Sequence, residues 1–232
     1  MDRRKNYYLL IDTETCNGIM DGNKLDLSQS IVYDFGFQVI DKKGNVYKKG
    51  SYLIDETFNG MADLMNSCYY ANKLPQYFED IKNGSRIVKP LMYVRKVILN
   101  TCKEWNIKAI VAHNAYFDYR AMRNTVRYFT GSKFKSMFPY GVEWYDTLKM
   151  ARDVIGIQKS YVVFCEENEY LTKYKKPRFT AEILYRYMTD NIEFEESHTA
   201  LEDVEIETQI FARCMRQHKK MRKKLFKDRE GA

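Results

Sequence analysis

The chain has no C-x-x-C pair, no long apolar run, no internal repeat and no low-complexity tract. Its five cysteines, Cys16, Cys68, Cys102, Cys165 and Cys214, are odd in number and scattered. That excludes a zinc ribbon or a disulfide frame and fits free thiols in a reducing compartment. No apolar stretch approaches the roughly 20 residues of a membrane span, and no signal-type apolar segment follows the polar start Met1-Asp2-Arg3-Arg4-Lys5-Asn6. The expectation is a soluble, cytoplasmic protein with no membrane partner. No composition shift marks a domain boundary, and 232 residues suit one substantial α/β domain, here placed at residues 1–215 with a basic C-terminal tail at 216–232.

What is present fits an anionic partner, and equally a surface on which Lys and Arg merely solubilise the fold. The net charge is +7, and aromatics make up 15% of the chain, with 19 Tyr and 13 Phe. Tyrosine either packs or stacks on nucleobases, so nucleic acid comes before a membrane surface as the partner. The stretch around which the rest is organised is Tyr7-Tyr8-Leu9-Leu10-Ile11-Asp12-Thr13-Glu14-Thr15. It reads as a central strand over residues 7–11 that ends in two carboxylates. Residues two apart on a strand share a face, so Asp12 and Glu14 point the same way and repel unless a cation lies between them. By itself an Asp-x-Glu pair also fits a strand that runs out into solvent, so the remaining ligands must come from elsewhere in the chain.

Residues 16–30, with Gly18, Gly22 and Asn23, read as a loop. Residues 31–40 and 46–54 read as two strands joined by a turn at Asp41-Lys42-Lys43-Gly44-Asn45, hence an antiparallel hairpin. Residues 55–87 read as short helical pieces with a loop, a length that is often functional. Apolar residues recur at helical spacing over 90–105. A short strand at 108–112 ends at His113-Asn114, a helix follows at 116–130, and a strand at 142–145 leads to Asp146 as the N-cap of a helix at 147–155. Two short helices at 161–170 and 179–188 flank a basic connection at 173–178. The last helix begins near Thr199, which with Glu202 makes a capping-box pattern, and Leu201, Val204, Thr208, Phe211 and Met215 form its core stripe.

Three segments are candidates to bring further polar groups to the end of the first strand, and the third of them, Asp146, is left as an N-cap. Asp118 falls in the first turn of the helix after His113, where an acid also complements the helix dipole. His198 lies just outside the last helix and Asp203 about one turn inside it. Histidine is the side chain best placed to take a proton near neutral pH. Of the neighbouring acids Glu202, Glu205 and Glu207, most read as a solvated helix face, and Glu195-Glu196 reads as a charge pair on a loop or helix face.

Together Asp12-x-Glu14, His113-Asn114-Ala115-x-Phe117-Asp118 and His198-x-x-x-x-Asp203 resemble, in order and spacing, the three motifs of the DEDDh proofreading-type exonuclease superfamily, with Ala200, Leu201 and Thr208 also matching the third. The resemblance runs from about residue 7 to 213. Cys16-Asn17-Gly18 departs from the Thr-Gly that usually follows the first motif. The resemblance implies an α/β, RNase H-like fold: a mixed five-stranded sheet, its second strand antiparallel to the rest, flanked by helices. It implies a 3′→5′ exonuclease in which Asp12, Glu14, Asp118 and Asp203 hold two Mg²⁺ or Mn²⁺ ions and His198 deprotonates the attacking water. Two cations about 3.5–4 Å apart stabilise both the attacking and the leaving oxygen of a phosphodiester. Thr13, Thr15, Asn114 and Phe117 are the implied substrate contacts. Phe117 at a helix start also fits a core aromatic. The implied substrate is a single-stranded 3′ end, DNA before RNA, with a polymerase or replication partner as one setting. An RNA-trimming enzyme of the same fold and a non-catalytic nucleic-acid-binding or polymerase accessory module are the alternatives.

Overall fold

The computed structural model describes residues 2, 4–20, 24–68 and 70–226. Six strands form one sheet in the order β4-β3-β2-β1-β5-β6. The first strand, β1 (Tyr7–Met20), lies inside it. Its apolar start alternates between two cores. Tyr7, Leu9 and Ile11 enter the cluster beneath helices α4 (Leu91–Glu104) and α5 (Tyr116–Thr130), while Tyr8 and Leu10 enter the cluster on the opposite face. A strand buried on both faces must be apolar throughout, and each fully buried Leu or Ile stabilises it by about 1.5–3 kcal/mol.

Antiparallel to β1 runs β2 (Lys24–Asp41), followed by β3 (Val46–Ile54), also antiparallel to its neighbour. On the other side of β1, β5 (Ile107–Ala112) and β6 (Glu143–Asp146) are parallel to it. The sheet is therefore mixed, with β2 the reversed strand, as in an RNase H-like fold. It exceeds the expected five strands by β4 (Ile87–Lys89), a three-residue edge strand parallel to β3.

The segment read as a loop over 16–30 is instead mostly strand. β1 and β2 continue past the sheet as an antiparallel ribbon, with register shifts between Glu14 and Thr15 and between Cys16 and Gly18. The glycines and polar residues that suggested a loop are compatible with a ribbon, because its ladder is made by the backbone. Residues 21–23, which include Gly22 and Asn23 of the expected loop, lie outside the described residues. Between β3 and β4 come α1 (Asp55–Phe58), α2 (Ala62–Ser67), a 3-10 turn at 71–73 and α3 (Leu74–Lys82), so the expected helical pieces are present.

The opposite core is closed by α6 (Thr147–Val154), α7 (Lys159–Glu167), α8 (Ala181–Thr189) and α9 (Ala200–Arg216). Asp146 caps α6 as expected, accepting from the Leu148 N–H at 3.0 Å. Helix α9 crosses β1 and β2, and its approach is very close: a β-carbon on Gly36 would lie 2.4 Å from backbone atoms of Ala200. Helix α9 ends at Arg216. Beyond it the chain returns to β6: the Asp146 N–H donates to the Lys223 carbonyl and the Leu225 N–H to the Trp144 carbonyl, both at 2.8 Å, and Arg222 pairs with Asp153. Residues 227–232 of the expected tail lie outside the described residues. Among the described residues, no helix is long and apolar enough to cross a membrane.

Candidate metal centre

The even-numbered face of β1 that buries Tyr8 and Leu10 faces α9, and it ends in Asp12 and Glu14. Helix α9 begins with Ala200 at the Gly36 contact, so its first turn delivers Asp203 to the same place. One carboxylate oxygen from each of Asp12, Glu14 and Asp203 lies within 4.8 Å of the others. Asp118 comes from the other side, in the first turn of α5. It is buried and accepts a hydrogen bond at 2.8 Å from the hydroxyl of Thr13, the odd-numbered residue between the two strand acids. The four acids thus meet at the carboxyl end of the strands, three as one group and Asp118 alongside.

Among the described residues, none of Asp12, Glu14, Asp118, Asp203 or the neighbouring Glu207 forms an ion pair with Lys, Arg or His, so no cationic side chain offsets them when they ionise. Burial and mutual repulsion push every one of them up. Asp12 stands well above the usual carboxylate range, through burial first and then through Asp118, Glu207, Asp203 and Glu14. Burial, then Asp34 and Glu196, raises Glu14 to about 8, and burial, then Glu196 and Glu14, raises Asp203 to about 9. Burial lifts Asp118 to about 7 against the lowering effect of the Thr13 hydrogen bond. Clustered hard oxygen donors with unopposed charge fit divalent cations such as Mg²⁺ or Mn²⁺.

His198 precedes the helix that carries Asp203. Its backbone is left-handed, at φ +53°, and its ring stacks on Tyr70 at 4.6 Å between centroids and 19° between planes. Burial lowers its pKa from the ordinary histidine value, Glu182 opposes that, and Lys73 adds a weaker lowering. The ring is not part of the carboxylate group. Thr15 is buried on β1. Asn114, exposed and left-handed at φ +59°, donates its backbone N–H to Asp146. Phe117 is half-buried and, among the described residues, is in none of the three apolar clusters.

Three features depart from the sequence reading. Glu207 is not on a solvated face: it is 3% exposed, receives the His113 N–H at 3.1 Å and is raised well above the usual range by burial, then by Asp118, Glu196 and Asp203. Its spacing of four residues from Asp203, one helical turn, was the available signal. Glu196 is likewise no idle loop charge, since burial lifts it to about 7 and it acts on Asp203, Glu14 and Glu207. The capping box does not close. The Thr199 hydroxyl donates to the Glu202 carboxylate instead of accepting a helix N–H, and it is Asp34 that receives the Ala200 N–H, at 3.1 Å. Asp34 and Glu202 are held in turn by the guanidinium of Arg86, at 3.1 and 2.9 Å.

No family model and no curated protein matches the chain. Solved structures do. The chain is similar to a full-length 3′-exonuclease at 12% identity, with a TM-score of 0.56 over 94% of this chain and 85% of that one. To the nuclease domain of 3′hExo, a DEDDh family member bound to rAMP, the TM-score is 0.54 at 11% identity, covering 96% and 98% of the two chains. To the zinc-bound E. coli ExoI–ssDNA complex it is 0.53 at 13% identity, over 92% of this chain and 42% of that one. At these identities the agreement is one of fold: the chain has the RNase H-like architecture of the DEDDh exonucleases.

Proposed function

We propose that the protein is a metal-dependent 3′→5′ exonuclease acting on a single-stranded nucleic-acid end and releasing nucleoside 5′-monophosphates. The observation that carries this reading is the meeting of Asp12, Glu14 and Asp203 within 4.8 Å, beside Asp118, on that fold. These four residues would hold the cations, because ionised carboxylates this close repel one another unless a cation lies among them. When bound, divalent cations stabilise the negative charge that builds on a phosphodiester under attack.

The chain's own groups have separable tasks. Thr13 orients Asp118 through its hydroxyl. His198, whose pKa burial lowers, accepts the proton of the attacking water as general base. The N-termini of α5 and α9 both point to the site, and their partial positive charge favours a phosphate there. Phe117 offers its half-buried ring to the terminal base, with Thr15 and Asn114 as polar contacts. DNA is proposed ahead of RNA, and a polymerase or replication setting with it, on the resemblance alone.

A non-catalytic binding module is the competing class, and a complete set of four acids and one histidine argues against it. The test uses a strand labelled at its 5′ end, incubated with Mg²⁺ or Mn²⁺ and again with EDTA. The reading predicts a descending ladder that EDTA abolishes. Trimming that persists in EDTA, or in Asp12→Ala, sinks it. DNA and RNA of one sequence, run side by side, assign the sugar.

A further inference from the structure

From Tyr119 to Val142 the sequence holds five Lys or Arg residues and no Asp or Glu. Arg120, Arg123 and Arg127 recur at helical spacing on α5, and Lys133 and Lys135 follow on the loop after it. Among the described residues none of the five forms an ion pair. The same surface carries large exposed rings: Tyr116 is 51% exposed, Phe134 85% and Tyr140 77%. Arg123, Lys133, Phe134, Lys135 and Tyr140 line one cavity of about 420 Å³.

The loop is fixed in place even though it displays these groups. Gly131 ends α5 in the left-handed region at φ +63°. The Ser132 hydroxyl receives the Phe134 and Lys135 N–H groups at 3.3 and 3.1 Å, and Arg95 donates to the Ser136 carbonyl at 2.7 Å. Met137 and Phe138 are buried in the core. Phe134 therefore projects from an anchored turn, at the full hydrophobic cost of its exposure, where burying it would be favourable.

The helix also supplies a direction. Its first turn holds Asp118 at the carboxylate site, and Tyr116 lies there too, with the Arg120 guanidinium 5.6 Å from its ring centroid. The axis then runs ~18 Å from Asp118 to the helix end, at about 1.5 Å per residue. We propose that the outer face of α5 and the loop after it form a track for single-stranded nucleic acid, gripping the nucleotides upstream of the one to be cleaved. The cations follow the phosphates, and Phe134 and Tyr140 stack on bases. Such rings require unstacked bases, which a duplex does not offer.

This track rests on the exonuclease reading for its direction, but it is tested separately. Two variants are compared with the full-length wild type: Arg123→Ala/Lys133→Ala/Lys135→Ala and Phe134→Ala/Tyr140→Ala. Binding of fluorescein-labelled (dT)₁₂ is followed by anisotropy over a range of KCl, with hydrolysis of thymidine 5′-monophosphate p-nitrophenyl ester as a reaction too short to reach the track. The charge variant is expected to weaken (dT)₁₂ binding at least 10-fold and to flatten the slope of log K against log salt by about 2, at roughly 0.7 per lost phosphate contact. The ring variant is expected to weaken binding about 10-fold with its slope unchanged. Ester turnover stays within twofold in both, which also reports that they fold. Wild-type affinity for (dT)₁₂ in both variants, or tighter wild-type binding of a blunt duplex than of (dT)₁₂, overturns the track. A wild type that binds (dT)₁₂ through these residues but hydrolyses neither ester nor strand leaves the track standing and overturns the exonuclease reading.

Discussion

Gly36 and Ala200, on β2 and at the start of α9, are so close that a β-carbon on the first would come 2.4 Å from the carbonyl carbon of the second. Gly36 is also the cross-strand partner of Asp12. One glycine thus sets how near the helix bearing Asp203 comes to the strand bearing Asp12.

Gly36→Ala is accordingly expected to push α9 off the sheet. Overpacking of this kind costs about 1–3 kcal/mol. Nuclease activity should fall more than stability does, because Asp203 retreats from its partners. Urea melts together with a Mn²⁺ titration check this; a variant with wild-type metal affinity would show that the close approach does not position Asp203.

The acid cluster makes stability depend on pH in a definite direction. Glu14, Asp118 and Asp203 titrate near 8, 7 and 9 in the folded chain, against ordinary values of 4.5, 3.8 and 3.8. The folded state therefore holds protons that the unfolded chain releases. The stability these groups contribute is complete below about pH 4 and is lost as pH rises through 7–9. Without divalent ions the melting temperature should fall between pH 5.5 and 8.5. Saturating Mn²⁺, which binds the deprotonated carboxylates, should stabilise most at the upper end. A metal-free melting temperature that rises over this range would contradict the clustering.

Asp203→Asn should lower nuclease turnover by about 10³-fold or more, the scale of losing several kcal/mol of charge stabilisation. The same change removes one of the repelling acids, so the metal-free protein should melt at a higher temperature than wild type. Calorimetry in EDTA beside a trimming assay gives both answers. Lower stability together with lost activity would mark Asp203 as a structural group only.

His198→Ala should slow hydrolysis by about 10²–10⁴-fold while Mn²⁺ affinity is kept. If affinity collapses instead, the histidine is a ligand and not the base.

Arg86 is almost wholly buried and pairs with Asp34, Asp80 and Glu202 at 2.9–3.1 Å. Arg86→Met strands the buried Asp34 carboxylate that receives the first N–H of α9, at a cost of about 3–5 kcal/mol. Arg86→Lys should recover only part of this, since an ammonium does not reproduce the fork that reaches three acids. Chemical denaturation of the two variants measures the difference.

The sequence by itself determined whatever depends on neighbours along the chain. The apolar run that ends in Asp12 and Glu14, the strand and helix around Asp118, the hairpin at residues 41–45 and the Asp146 cap all follow from residue period and local hydrogen bonding. Tertiary structure decided the rest, because burial and charge coupling depend on what packs from afar. Glu207 looks like a surface acid until α9 lies on the sheet and turns it toward the cluster, and Glu196, on the segment before α9, until that segment is buried beside the same acids. Asp34 replaces the expected capping box because it lies 166 residues from Ala200 in the chain yet against it in space. The ribbon of residues 16–20 and 24–30 was illegible for the same reason: a backbone ladder satisfies residues whose side chains, read in order, spell a loop.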